Sequence, residues 1–233
     1  MKIITLVIAA FIYQTLSAQH ASRVVIGAGK RVSEVLTPDV LFLYKQFKPG
    51  RILLKDNVAY NAQLNYNLFN GEIMFASPSG DTLALNTEQM LNIKRVSIDS
   101  DSYVYNKGYL QIIKENAFGS LGRKQQYYVV SREKIGGYDL ASPASSIDSY
   151  TSFSDRANSR HDLVVRENIS LVLKTEFFIG DPYNLFLPIN KKNLEKIFFK
   201  KRDLLDSYLK EHEVDFKNEK QLTALFIYLT EGS

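Results

Sequence analysis

The chain has three histidines, and the serines and carboxylates that could partner them are the first places to look for chemistry. His20, His161 and His212 stand far apart, without the His-x-x-x-His or His-Glu-x-x-His spacing that turns two imidazoles toward one zinc ion. His161-Asp162, in a long loop, is the one plausible acid–base pair, and Ser145, Ser146 and Ser152 lie upstream as nucleophile candidates. A nucleophile elbow needs Gly-x-Ser-x-Gly, which is absent, and sequence neighbours rarely reach triad geometry. These residues are therefore read as a solvated loop, and no catalytic residue, cofactor site or metal ligand is assigned. The chain has no Cys, which excludes thiol catalysis, disulfides and Cys-ligated metals together.

Two glycine and acid motifs fail on spacing. Gly27-Ala28-Gly29-Lys30 resembles a phosphate loop, but Val24 stands where a Walker loop needs Gly and Arg31 where it needs Ser or Thr. A dinucleotide fingerprint would need a small residue at Val32. The stretch is expected to be a flexible start of the mature chain. Asp99-Ser100-Asp101 could open a calcium loop, yet Val104 and Leu110 replace the required Gly and Glu. A polar turn between strands is expected instead.

Two surface patterns bear on binding. Lys191, Lys192, Lys196, Lys200, Lys201 and Arg202 form a basic patch near the C-terminus. It reads first as a solvated helix face and second as a site for an anionic partner: envelope polysaccharide, lipid headgroup or acidic protein surface. Tyr103, Tyr105, Tyr109, Tyr127, Tyr128 and Tyr138 could form a stacking platform, but cross-strand pairing is the commoner use of such residues. Carboxylates are too many to say which two face each other across a sugar ring.

The N-terminus sets the compartment. Lys2, an apolar run over 3–13 and the polar, small-residue exit Gln14-Thr15-Leu16-Ser17-Ala18 form the layout of a secretory signal peptide, with cleavage expected between Ala18 and Gln19. The apolar run is shorter than the about 20 residues of a membrane span, and no later run is longer. The mature product is expected to be periplasmic or secreted, without a transmembrane segment. Loss of Lys2 from the 29 Lys and Arg leaves a slight excess over 25 acidic residues, too small for a nucleic-acid footprint.

The elements that must position these residues are mostly strands. Residues 51–55, a turn at Asp56-Asn57 and a longer strand over 58–69 begin a meander. In that longer strand Ala62, Leu64, Tyr66 and Leu68 alternate with Gln63, Asn65 and Asn67, the period-two pattern of a half-buried strand. Asn70-Gly71 predicts a type I′ hairpin turn, in which both residues take positive φ. Further strands are expected at 72–76, 81–85, 93–98, 102–105, 109–115, 124–132 and 163–179, with turns at Asn106-Lys107-Gly108 and Leu121-Gly122. Between the later strands, 138–162 reads as a long Ser-rich loop.

After Pro188 the period becomes helical. Asn190 caps one helix, Asp203 opens a second, and Asn218 with Gln221 forms a capping box before the Leu222, Leu225, Phe226, Leu229 stripe. The reading is α+β: an antiparallel meander of about eight to ten strands followed by three short amphipathic helices. The signal peptide takes 1–18, a lead-in segment 19–50, and one α+β domain 51–233, with sheet over 51–135 and 163–180 and helices over 190–230.

Lys55-Asp56-Asn57, Leu64-Asn65-Tyr66-Asn67-Leu68 and Gly80-Asp81-Thr82-Leu83-Ala84-Leu85 resemble a widespread group of exported proteins of Bacteroidota. The C-terminal Lys191-Lys192-Asn193-Leu194, Ile197-Phe198 and the final helix continue that resemblance. It implies an envelope location and no established activity. The functional expectation is a non-catalytic binding or structural module of the envelope. The alternative is a hydrolase acting on envelope or extracellular polymer.

Overall fold

A computed structural model describes residues 23–77, 82–85, 87–135, 141–143 and 164–231. The chain runs through β1 (Arg23–Ile26), the single-turn helices α1 (Val32–Val35) and α2 (Pro38–Leu41), β2 (Lys48–Leu54), β3 (Ala59–Asn67), β4 (Glu72–Ala76) and β5 (Thr82–Ala84). Helix α3 (Thr87–Asn92) leads into β6 (Ile93–Ile98), β7 (Asp101–Tyr105), β8 (Tyr109–Asn116) and β9 (Gly119–Ile135). Next come β10 (Ala141–Pro143), β11 (Glu167–Gly180) and β12 (Phe186–Pro188). The chain closes with α4 (Lys191–Ile197), a 3-10 turn (Phe199–Lys201), α5 (Arg202–Glu211) and α6 (Glu219–Glu231).

All strands join one antiparallel sheet in the order β1-β11-β9-β8-β7-β6-β2-β3-β4-β5, with β10 on β9 and β12 on β11. The sheet is open in strand order but strongly coiled. Bulges in the β2–β6, β8–β9 and β9–β11 pairs add local twist. The β8–β9 pairing ends at Gln111–Arg123, and beyond it the end of β3 takes over the vacated edge of β9. The Tyr127 N–H donates to the Leu68 carbonyl (2.8 Å), and the Tyr66 hydroxyl donates to the Gln125 carbonyl (3.0 Å). The buried backbone groups of Leu68 and Tyr127 are thereby satisfied.

Coiling puts the alternating face of β3 inside. Leu64, Tyr66 and Leu68 pack there with Ile52, Val96, Ile98, Tyr103, Tyr127, Ile169 and Leu171. The same face of β11 continues to Phe177 and Ile179, where it meets a second core under the helices: Leu194, Phe198, Leu205, Leu222, Leu225, Phe226 and Leu229. A residue spacing of two keeps Ile169 through Ile179 on one face, so one 14-residue strand serves both cores. On the opposite face Phe186 folds back against Val104 and Leu110.

Asn190 and Asn218 cap their helices as the sequence predicts, whereas α5 starts at Arg202 with no side-chain cap and holds Asp203 in its first turn. The Asn190 Oδ1 accepts from the Asn193 N–H (2.9 Å). The Asn218 Oδ1 accepts from the N–H groups of Lys220 and Gln221. Gln221 turns away from its reciprocal partner, and its Oε1 accepts from the Asp215 N–H (2.7 Å), so it anchors the preceding loop.

The structure departs from the sequence reading in five places. The lead-in joins the sheet from Arg23, because β1 pairs with β11 through Arg23–Val172 to Ile26–Ile169. Among the described residues the three-residue strands β10 and β12 bring the sheet to twelve strands instead of about eight to ten, and β10 falls inside the expected 138–162 loop. The β3–β4 connection is a four-residue loop in which only Gly71 has positive φ (68°). There the Asn67 Oδ1 accepts from the Phe69 and Asn70 N–H groups, so Asn67 outcompetes the Asn-Gly signal. Leu121-Gly122 lies within β9, and the turn falls earlier, ending at Gly119 (φ 156°). Gly27 to Lys30 is a bonded turn: the Lys30 N–H donates to the Gly27 carbonyl, the Ala28 N–H to the Asn168 Oδ1 and the Gly29 N–H to the Val165 carbonyl.

Candidate functional site

The coiled sheet opens at its β4–β5 edge into a cleft of about 400 Å³. Its walls follow from strand periodicity. Ile52 and Leu54 share one face of β2, Tyr60 and Ala62 share the facing side of β3, and Phe75 comes from β4. Leu85 follows β5, α3 contributes Gln89 and Asn92, and Ile93 opens β6. Ala62 is the smallest inward residue on β3, between Tyr60 and Leu64, and its short side chain leaves the space. The Asn92 carbonyl accepts from the Lys55 N–H (2.9 Å), which ties the end of α3 to the β2–β3 turn.

The cleft's chemistry is that of binding. Its lining is apolar apart from the Tyr60 hydroxyl and the Gln89 and Asn92 amides, with no ionisable acid or base other than that phenol. Its size falls in the range of small-ligand pockets, and such pockets combine apolar walls with a few polar groups that fix orientation. An inserted group would have to be uncharged, because nothing in the lining compensates a desolvated charge. Val58, Tyr60 and Leu91 are exposed on the elements around the mouth.

A second cluster is polar and lies inside the sheet. The Tyr44 hydroxyl donates to the Asp101 Oδ2 (2.5 Å) and lies 2.7 Å from the Tyr103 hydroxyl. Tyr103 stacks on Tyr66 at 5.6 Å between ring centroids. The Arg123 Nε donates to the Gln111 Oε1 (2.8 Å), and its Nη1 donates to the Glu219 Oε2 (2.7 Å), which links β9 to α6. Burial is the main cause that holds the Tyr44, Tyr66 and Tyr103 hydroxyls well above the ordinary tyrosine range. The free volume beside this cluster is about 10 Å³, no more than one water requires. The network is therefore a joint between sheet and helices and has no room for a substrate. The Tyr109 hydroxyl is buried without a hydrogen-bond partner among the described residues.

Many of the sequence candidates fall outside the described residues. Ala18, Gln19, His20, Tyr138, Ser145, Ser146, Ser152, His161 and Asp162 lie outside the described residues. His212 is exposed and packs its ring against Tyr208. Among the described residues no three His, Asp or Glu side chains converge on a metal position. Asp99 and Ser100 form the β6–β7 turn, whereas Asp101 turns inward to Tyr44. Tyr103, Tyr109 and Tyr127 are core residues, and Tyr105 packs edge-on against its cross-strand partner Tyr109, so the tyrosines do not form one exposed platform.

The basic patch is divided. The Lys191 Nζ pairs with Asp206 (2.6 Å) and Glu195 (3.8 Å), and that hydrogen bond to Asp206 raises its pKa. The Arg202 Nε donates to the Glu195 carbonyl (3.4 Å). The Lys201 Nζ donates to the Leu229 carbonyl (2.8 Å) at the end of α6, where a cation meets the negative end of the helix dipole. Lys192, Lys196 and Lys200 are exposed.

Sequence reasoning missed the cleft. Ala62 among larger inward residues was its one local sign, but the other walls come from five separate elements. No protein-family model matches the chain, and no curated protein or solved structure matches it.

Proposed function

We propose that this chain is an exported, non-catalytic binding module that takes an uncharged, largely apolar ligand group into the cleft beside α3. The observation that carries the reading is the lining itself: seven apolar or aromatic side chains with two amides and no charged group. Export is supported by the signal-peptide layout of the first residues and by the resemblance to exported proteins of Bacteroidota. Burial of a ligand's apolar surface there supplies the binding energy at about 25 cal/mol per Å². The Gln89 and Asn92 amides and the Tyr60 hydroxyl orient its polar end. On this reading the protein works in the periplasm or outside the cell, and α4 to α6 close the far end of the sheet.

Titration of the protein starting at Gln19 with the uncharged fluorophore N-phenyl-1-naphthylamine tests the proposal. One saturable site is expected, lost in Ala62→Trp, whose indole fills the space, while the melting transition is retained. Leu85→Glu, which places a charge in the lining, gives the same loss if the site is the cleft. Equal fluorescence gain in wild type and both variants would refute the assignment.

A further inference from the structure

The end of the molecule opposite the cleft exposes apolar side chains that the fold does not use. Phe118 is 55% exposed, Tyr183 90%, Leu185 53% and Phe199 61%. They sit on the β8–β9 turn, the β11–β12 turn and the 3-10 turn ahead of α5. These turns converge. A Cβ on Gly119 would lie 2.4 Å from the Gly180 carbonyl and 3.9 Å from the Asp181 Cα, so the first two turns are in contact. The Lys201 Nζ lies 5.1 Å from the centre of the Phe118 ring, which brings the 3-10 turn to the first. The Asn116 Nδ2 donates to the Thr230 Oγ1 (2.7 Å) and holds the same turn against α6.

We propose that this end is a peripheral docking surface for an anionic lipid bilayer. Each exposed phenylalanine carries a lysine at its side: Lys201 over Phe118, and Lys200 at 5.6 Å from the Phe199 ring centre. A ring entering the interface with an ammonium beside it matches acyl chain below and phosphate above, and aromatic residues favour that layer. Lys192 and Lys196 are exposed on the preceding helix and add to the positive field. The acidic residues on or beside these turns include Asp181, the exposed Asp203 in the first turn of α5, and Glu231 at the end of α6. The Asp181 Oδ1 is already engaged by the N–H groups of Tyr183 and Leu185. Apolar side chains on the tips of separate turns suit a fluid interface, since a protein partner would have to supply a separate pocket for each. Among the described residues no helix is long and apolar enough to cross a membrane, so the helices described can attach only at the surface. The inference does not depend on the cleft.

Co-sedimentation with vesicles tests it, using the chain from Gln19 and two compositions: equal parts phosphatidylglycerol and phosphatidylcholine, or phosphatidylcholine alone. The protein is expected to pellet with the anionic vesicles only, and more weakly as salt rises. Phe118→Ser with Phe199→Ser should lower the partition by roughly tenfold or more, as loss of two inserted rings implies. Lys200→Glu should weaken binding to anionic vesicles while leaving naphthylamine binding intact. Tyr183→Ser, at the most exposed position, provides a variant that leaves the core untouched and should also bind less. Wild-type protein remaining in the supernatant with anionic vesicles would overturn the proposal. So would equal partition of wild type and these variants, or capture by an acidic protein without any vesicle binding.

Discussion

Two strand glycines that look alike in sequence should respond oppositely to one added methyl group. A Cβ on Gly50 would stand 2.6 Å from the Leu64 Cδ1 and 2.6 Å from the Ser97 carbonyl. Leu64 is fully buried, and the Ser97 carbonyl belongs to the backbone of β6 paired with β2, so neither can yield cheaply. Overpacking of this kind costs about 1–3 kcal/mol, and two hard contacts place Gly50→Ala at the upper end. Replacing a strand glycine returns about 0.5–1 kcal/mol of backbone entropy, leaving a net loss of roughly 2 kcal/mol. For a domain of this size that lowers Tm by about 4–8 °C. At Gly122 the nearest atoms are the Gln111 carbonyl at 3.4 Å, with the Leu110 Cβ and the Phe186 Cε1 at 3.6 Å, and φ is not positive. Gly122→Ala therefore keeps the entropy gain and should raise Tm by about 1–3 °C. Thermal melts of both variants beside wild type, repeated in urea, measure the contrast. If Gly50→Ala melts at or above wild type, or if both variants shift together, the packing argument at the β2–β3–β6 junction is wrong.

Two further predictions concern protons. Tyr44, Tyr66, Tyr103 and Tyr109 are held above the ordinary tyrosine range, in each case chiefly by burial. Above about pH 10 the unfolded chain loses those protons first, so stability, fully present below that pH, should fall by up to about 1.4 kcal/mol per pH unit for each tyrosine. A urea midpoint that stays flat from about pH 8 to about pH 11 would contradict this. Glu72 has its carboxyl pKa raised by burial, partly offset by a hydrogen bond with Asn70. Its contribution is complete below the unfolded value and lost as pH rises, so Glu72→Gln should be more stable than wild type at neutral pH, with the gain vanishing below about pH 4. Chemical denaturation at both pH values checks it, and a less stable variant at neutral pH would refute the reasoning.

Local signals carried much of the architecture. Alternation from Ala62 to Leu68 identified β3 and its buried face, because side-chain direction in a strand depends only on the parity of residue number. Asn190 and Asn218 marked helix starts, because a cap satisfies N–H groups two or three residues away. The Asn106-Lys107-Gly108 turn was legible for the same reason, with Lys107 and Gly108 at positive φ. At Asn70-Gly71 a second local signal won: the Asn67 Oδ1 accepts from the Phe69 and Asn70 N–H groups, while the Leu68 carbonyl reaches across to β9.

The sequence by itself determined the α+β composition, most strand positions and the absence of cysteine chemistry. Tertiary structure decided everything that depends on elements distant in the chain. The pairing of β1 with β11 joins residues more than 140 positions apart, and no local pattern encodes it. Buried Asn65 reads as a solvent-facing strand residue, yet its amide exchanges hydrogen bonds with the Tyr44 backbone. The cleft exists only where β2, β3, β4 and β6 curl beneath α3. The turns that carry the exposed Phe118, Tyr183, Leu185 and Phe199 are brought together only by the tertiary fold, through Gly119 beside Gly180 and Lys201 over Phe118. Periodicity records which way a side chain points, whereas a binding surface requires knowing what lies opposite, and that is set by how the sheet coils in space.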